Sequence, residues 1–150
     1  MPTNVYVPEG EVLEGNDVFL VSRVVRADGV YLSESDLDLS EPATVVSINV
    51  YDLDDRSVSQ EAFYTLAIAG SAVNAHTLFV LSDTASALVT DGYWDGLDST
   101  GYNVRYRLQS SLAALEGGKR YRVEFKVTTD TNFGNVIWSH IINVRSHSVV

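Results

Sequence analysis

The chain has 150 residues and a mass of 16.4 kDa, the size of one domain large enough to bury a core. Twenty acidic against ten basic residues leave a net charge of -10, which repels phosphate backbones and argues against nucleic acid as a partner. The lack of cysteine excludes a disulfide framework and thiolate chemistry, and a 45% hydrophobic content is too high for a disordered acidic tail.

The acid excess is uneven: residues 1–75 hold thirteen acidic and three basic side chains, whereas residues 76–150 hold seven of each. Met1-Pro2-Thr3-Asn4 lacks the basic and apolar regions of a secretory signal, and no run approaches the roughly 20 apolar residues of a membrane span. Residues 1–10 are expected to form an N-terminal arm, 11–145 the domain and 146–150 a tail. In the arm, Val5, Tyr6 and Val7 either add a strand to a neighbouring sheet or make the domain's own first strand.

Strands are expected over 17–26, ending at Asp28-Gly29, and over 43–53, ending at Asp54-Asp55. The acidic runs at 34–41 and 52–55 offer the carboxylates that calcium prefers, but neither fits a twelve-residue calcium loop, and solvated acidic loops are the simpler reading. Weaker strand candidates cover 61–69 and 77–81. Residues 91–101, beginning Asp91-Gly92-Tyr93-Trp94, mix Gly and Asp with aromatics and read as a structured loop. There Tyr93 and Trp94 either fold back to cap the open end of the domain or present a contact surface.

Over 102–109, Tyr102, Val104, Tyr106 and Leu108 alternate with Asn103, Arg105 and Arg107, the two-residue period of a strand with one wet face. Next, 110–118 offers a capping Ser, two Leu spaced by three and a Gly pair, the marks of one short helical turn bridging two strands. In 120–127, Tyr121, Val123, Phe125 and Val127 alternate with charged residues. Turn formers over 128–135 and an apolar run over 136–144 complete an antiparallel hairpin. About seven strands with short turns predict an all-β antiparallel β-sandwich.

Catalytic motifs do not appear in this pattern. Phosphate-binding glycine loops, a Gly-x-Ser-x-Gly elbow and a His-Glu-x-x-His pair are all missing. His76, His140 and His147 are widely spaced, and His140, on a strand, is expected at a core edge or sheet surface rather than as a ligand or base. No catalytic residue, cofactor or metal site is expected.

The segment Leu115-x-x-Gly118-x-x-Tyr121-x-Val123 resembles the lead-in to the penultimate strand of immunoglobulin-like and fibronectin type III-like domains. The resemblance implies a Leu plugging the bottom of the sandwich and a tyrosine corner at Tyr121, its hydroxyl bonded to the preceding backbone. The buried Cys pair of antibody domains is missing; Trp94 falls in a loop and Trp138 in the last strand.

The wider pattern resembles small immunoglobulin-like structural proteins of tailed bacteriophages. It rests on the 10–26 segment ending in Ala27-Asp28-Gly29, the Asp91-Gly92-Tyr93-Trp94 run through Gly101-Tyr102-Asn103, and 115–127 with its closing hairpin. That likeness implies a non-enzymatic virion component, foremost a capsid decoration (cement) protein bridging capsid subunits, with neck or tail roles as close variants. Its partners would be the major capsid protein or other virion proteins, with homo-oligomers conceivable, rather than nucleic acid or membrane. Its location would be the virion, after synthesis in the host cytoplasm.

A carbohydrate-binding module using Tyr93 and Trp94 as a stacking platform is the alternative from another class. The near-neutral C-terminal hairpin and the apolar flanks (Val5, Tyr6, Val7, Val149, Val150) are the expected docking elements, many weak contacts acting together through avidity.

Overall fold

The alternation in the sequence becomes an inside and an outside. In the strand Arg120–Thr128, Tyr121, Val123, Phe125 and Val127 are buried while Arg120, Lys126 and Thr128 are exposed, and Asn135–Arg145 repeats the pattern with Val136, Trp138, His140, Ile142 and Val144 inside. The structure, a computed structural model, describes residues 5–7, 11–54, 61–94, 97–130 and 133–146. Val149, Val150 and His147 lie outside the described residues.

The strands are β1 (Val5–Val7), β2 (Glu11–Leu13), β3 (Val18–Arg23), β4 (Thr44–Asp52), β5 (Tyr64–Ala69), β6 (Phe79–Leu81), β7 (Val104–Leu108), β8 (Arg120–Thr128) and β9 (Asn135–Arg145). They form two sheets, ordered β1-β3-β7-β6 and β2-β9-β8-β4-β5. Every pairing is antiparallel except that of β2 with β9, which is parallel. Val5–Val7 therefore pairs within its own chain, in register with Val21 to Arg23. The protein is all-β; short 3-10 turns occur at Glu34–Asp36, Gly70–Ala75 and Gly92–Trp94.

The expected short helical turn is confined to 109–113, where the Leu112 and Ala113 N–H groups both donate to the Gln109 carbonyl; no helical ladder follows over the rest of 110–118. The Gly pair serves a different need. A Cβ on Gly117 would lie 2.4 Å from the Ser146 Cα, and Gly118, at a φ of 83°, donates its N–H to the Val144 carbonyl at 2.8 Å. This loop is thereby laced to the end of β9, a tertiary demand that a local helix signal does not reveal.

Both sheets contribute to one core. Phe125 stacks on its cross-strand neighbour Trp138 with centroids 5.0 Å apart, and Tyr106 of the opposite sheet meets Phe125 edge-on at 5.7 Å. Such offset and edge-to-face pairs add to the burial of their area. The Tyr121 hydroxyl accepts a 2.8 Å hydrogen bond from the Glu116 N–H, and Leu115 packs on the core beside it. Three loops, 24–43, 82–103 and 129–134, meet at the other end, where the Glu34 N–H donates to the Ser82 carbonyl and the Asp130 N–H to the Asp36 carbonyl.

Candidate docking surfaces

Each sheet has an outer face, and the two are finished differently. On the four-stranded sheet, Phe19, Val21 and Arg23 of β3 and Arg105 and Arg107 of β7 point away from the core. An exposed strand would show burial at every second residue, yet β3 is buried at Val18 and throughout Leu20, Val21, Ser22 and Arg23. The 83–102 loop produces this by lying over the sheet.

Trp94, only 1% exposed, forms a separate small core with Val21 and Tyr102. Burying an indole removes roughly 200 Å² from water, worth on the order of 5 kcal/mol. Asp98 fastens the cover. Its carboxylate accepts from the Trp94 indole N–H at 2.9 Å and from the Arg23 guanidinium at 2.7 Å, and from the Thr100 and Gly101 backbone. These donors, the indole foremost and the guanidinium next, hold the Asp98 carboxyl well below the usual carboxylate range.

Gly101 closes the loop at a φ of 99°, where a Cβ would stand 2.5 Å from the Val89 carbonyl oxygen; glycine is required on both counts. The Tyr102 hydroxyl donates to Asp91 at 2.7 Å, and burial, reinforced by that carboxylate, pushes its pKa up to about 12. Tyr93 rests on Phe19 at 4.8 Å with the Arg105 guanidinium over its ring at 4.8 Å, and is 42% exposed.

The structure thus places Tyr93 and Trp94 on the side of the fold, over β3, rather than across its open end. The faces of the Trp94 ring are spent on Val21, Tyr102 and Arg23. The two predicted aromatics are adjacent in sequence but do not make a shared platform, since one is core and the other is surface.

The outer face of the five-stranded sheet has no such cover among the described residues. Ile137 is 60% exposed and Ile141 46%. Directly across the strand from them stand Lys126 and Arg122, and beyond these Ser47 and Tyr51 of β4. Arg122 lies over the Tyr51 ring at 4.7 Å and near Glu124 at 3.8 Å. Arg120 and Arg145 complete the outer row, with exposed Leu13 of β2 in register with Arg145. The outward residues of β8 and β9 thus include four cations and two isoleucines against one carboxylate, in a chain of net charge -10, the others being neutral and polar. The three histidines gave no hint of this surface; the signal was the basic residues alternating along β8.

Elsewhere, most of the cations are paired within the chain. Arg26 pairs with Asp28 and buried Asp36, Arg107 with Asp17, and Lys119 with Asp52 and Glu116, whose oxygens hold the Lys119 ammonium well above its ordinary pKa. The carboxylates of the acidic runs are largely used in this way or on backbone N–H groups, and among the described residues no group of three or more His, Asp or Glu could hold a metal ion.

Two hollows remain. One, of about 320 Å³, lies beside the β6 edge among Val80, Leu81, Ala87 and Val89, with the mutually bonded Tyr102, Asp91 and Arg105 on its wall. The other, of about 240 Å³, surrounds Lys119 near Phe63.

His140 is a core residue. It is buried between the sheets, with Nε2 2.9 Å from the Ser22 hydroxyl of β3 and the Phe125 ring at 5.6 Å. Burial lowers its pKa to about 4. His76 instead accepts the N–H groups of Leu78 and Phe79 on Nδ1, ordering the chain before β6. No helix among the described residues is long and apolar enough to cross a membrane. No protein-family model, curated protein or solved structure matches the chain.

Proposed function

We propose that the chain is a non-enzymatic virion structural protein of immunoglobulin-like topology, foremost a capsid decoration protein, that works by docking rather than by chemistry. The observation that carries the docking part is the outer face of β8 and β9, where Ile137 and Ile141 stand exposed among Arg120, Arg122, Lys126 and Arg145. Exposed apolar residues set across the strand from cations on an open sheet face suit a protein surface better than a small molecule, which needs concavity.

Strand order supports the fold assignment. The order β1-β3-β7-β6 corresponds to the A-B-E-D sheet of immunoglobulin domains, and β9-β8-β4 to G-F-C, with β5 as an added edge strand. The Tyr121 to Glu116 bond is the contact that a tyrosine corner makes at the start of the penultimate strand. The virion assignment rests on the sequence resemblance to phage structural proteins, and the docking face supplies what a decoration role requires.

The test is a comparison of virus particles made with and without the chain. Particles that lack it should lose infectivity at a lower temperature, and added protein should restore them. Particles indifferent to its presence would overturn the capsid role. The carbohydrate reading is weaker because Trp94 is buried; retention on a glycan surface that depends on Tyr93 would revive it.

A further inference from the structure

The acid excess, uneven along the sequence, is more sharply segregated in space. At the end of the fold where the loops 24–43, 82–103 and 129–134 meet, Asp28, Glu34, Asp36, Asp38, Glu41, Asp83 and Asp130 stand with a single basic residue, Arg26, whereas Asp91 and Asp98 lie over the smaller sheet on Arg105 and Arg23. Arg26 is already paired with Asp28 and Asp36. Glu34, Asp38, Glu41, Asp83 and Asp130 have no cationic partner among the described residues. Glu34 and Asp83 crowd each other, and burial together with that neighbour raises the Glu34 pKa. At the same end Val30 is exposed and Phe133 lies under the Arg26 guanidinium.

The β8 and β9 face is the reverse: exposed Ile137 and Ile141 within a row of cations. Among the described residues Arg120 and Lys126 make no ion pair. We propose that these two surfaces are complementary halves of one contact, so that the acidic loop end of one copy docks on the β8 and β9 face of the next, head to tail.

A two-fold contact through the cationic face alone would set Arg120 and Lys126 against their own counterparts, and like charges in an interface are costly. A head-to-tail contact joins unlike surfaces and leaves a free face on one copy and a free loop end on the other, so the association can propagate into a ring or a file. The net charge of -10 does not forbid this, because at physiological salt charges interact over about 8 Å and only the facing groups count. This contact uses the face that the virion reading uses, so in any one copy that face is taken either by a capsid or by the next copy; the outcomes stay distinguishable because self-association is read in solution and capsid loading on stripped particles.

The test uses the whole chain in sedimentation velocity, at protein concentrations up to about 0.5 mM, within reach of weak contacts, and at about 0.1 M and 1 M salt. The wild type should associate at the lower salt and dissociate at the higher. Two double variants are then made at exposed positions, Arg120→Glu with Lys126→Glu on the face, and Asp83→Lys with Asp130→Lys at the loop end. Each alone should associate on the order of tenfold or more weakly. Mixed, the intact end of the first meets the intact face of the second, and the reversed face of the first meets the reversed end of the second with the charges exchanged, so salt-sensitive association well above that of either variant alone should return. A wild type that stays monomeric throughout, an association indifferent to salt and to both reversals, or a mixture that associates no better than either variant alone would each overturn the proposal.

Discussion

The outer faces of the two sheets start from similar material and end in opposite states. β7 presents Arg105 and Arg107 outward as β8 presents Arg120, Arg122 and Lys126. On the smaller sheet a loop of the same chain supplies Asp98 for Arg23, Asp91 for Arg105, and Trp94 and Tyr102 to fill the space over Val21, while Asp17, just before β3, takes Arg107. On the larger sheet Glu124 is the lone carboxylate against four cations on β8 and β9, and Ile137 and Ile141 have nothing over them among the described residues. A row of alternating charges on a strand does not by itself mark a docking face. What decides is whether the chain returns to cover it.

The largest effect should come from breaking the cover. Trp94→Ala should cost about 3–5 kcal/mol in urea unfolding, the range for truncating a buried large aromatic, and should also release Asp98 and the loop it fastens. A loss close to that of a surface substitution would mean that the loop is not part of the folded unit.

A comparable effect comes from the core beneath both faces, through pH. His140 has a folded pKa of about 4 against roughly 6.5 when unfolded, so the unfolded chain binds the extra proton between those values. Stability is therefore fully present above about pH 6.5 and falls as the pH drops towards 4, by on the order of 3 kcal/mol. Denaturant titrations across this window measure it, and His140→Asn should flatten the dependence. A wild-type profile already flat there would remove His140 from the account.

Tyr121→Phe should cost about 1 kcal/mol, the net worth of the hydrogen bond to the Glu116 N–H, read as a lower urea midpoint with unchanged slope. The smallest change is expected on the open face. Ile137→Ser with Ile141→Ser should leave stability within about 0.5 kcal/mol per site, and a larger loss would show that this face is held from within after all.

Much of the architecture was legible in the sequence because a strand with one wet face writes its period into the residue order, as β7 and β8 do. The parallel strand β2 was not. Three residues, Glu11–Leu13, carry no usable period, and their pairing with β9 is a long-range choice. The 110–118 segment carried helix-like capping residues, but its Gly pair answers to the close passage of Ser146 and Val144.

The site was legible only in outline. The C-terminal hairpin stood out as the near-neutral half of an acidic chain, which directed attention to β8 and β9. Tyr93 and Trp94, alike in composition and adjacent in sequence, separated because Asp98, four residues on, takes the indole N–H and pulls Trp94 inward. Nor could charge counted along the chain show that carboxylates from three separate loops, Glu34, Asp83 and Asp130 among them, gather at one end.

The most direct test of the account addresses the open face in its proposed setting. Particles stripped of the chain are reloaded with wild type, with Ile137→Asp plus Ile141→Asp, or with Tyr93→Ala, and retained protein is quantified after each variant's melting temperature has been matched to wild type. The account predicts wild-type loading for the Tyr93 variant and almost none for the paired isoleucine variant. Normal loading of the isoleucine variant, or loss with the Tyr93 variant instead, would contradict it.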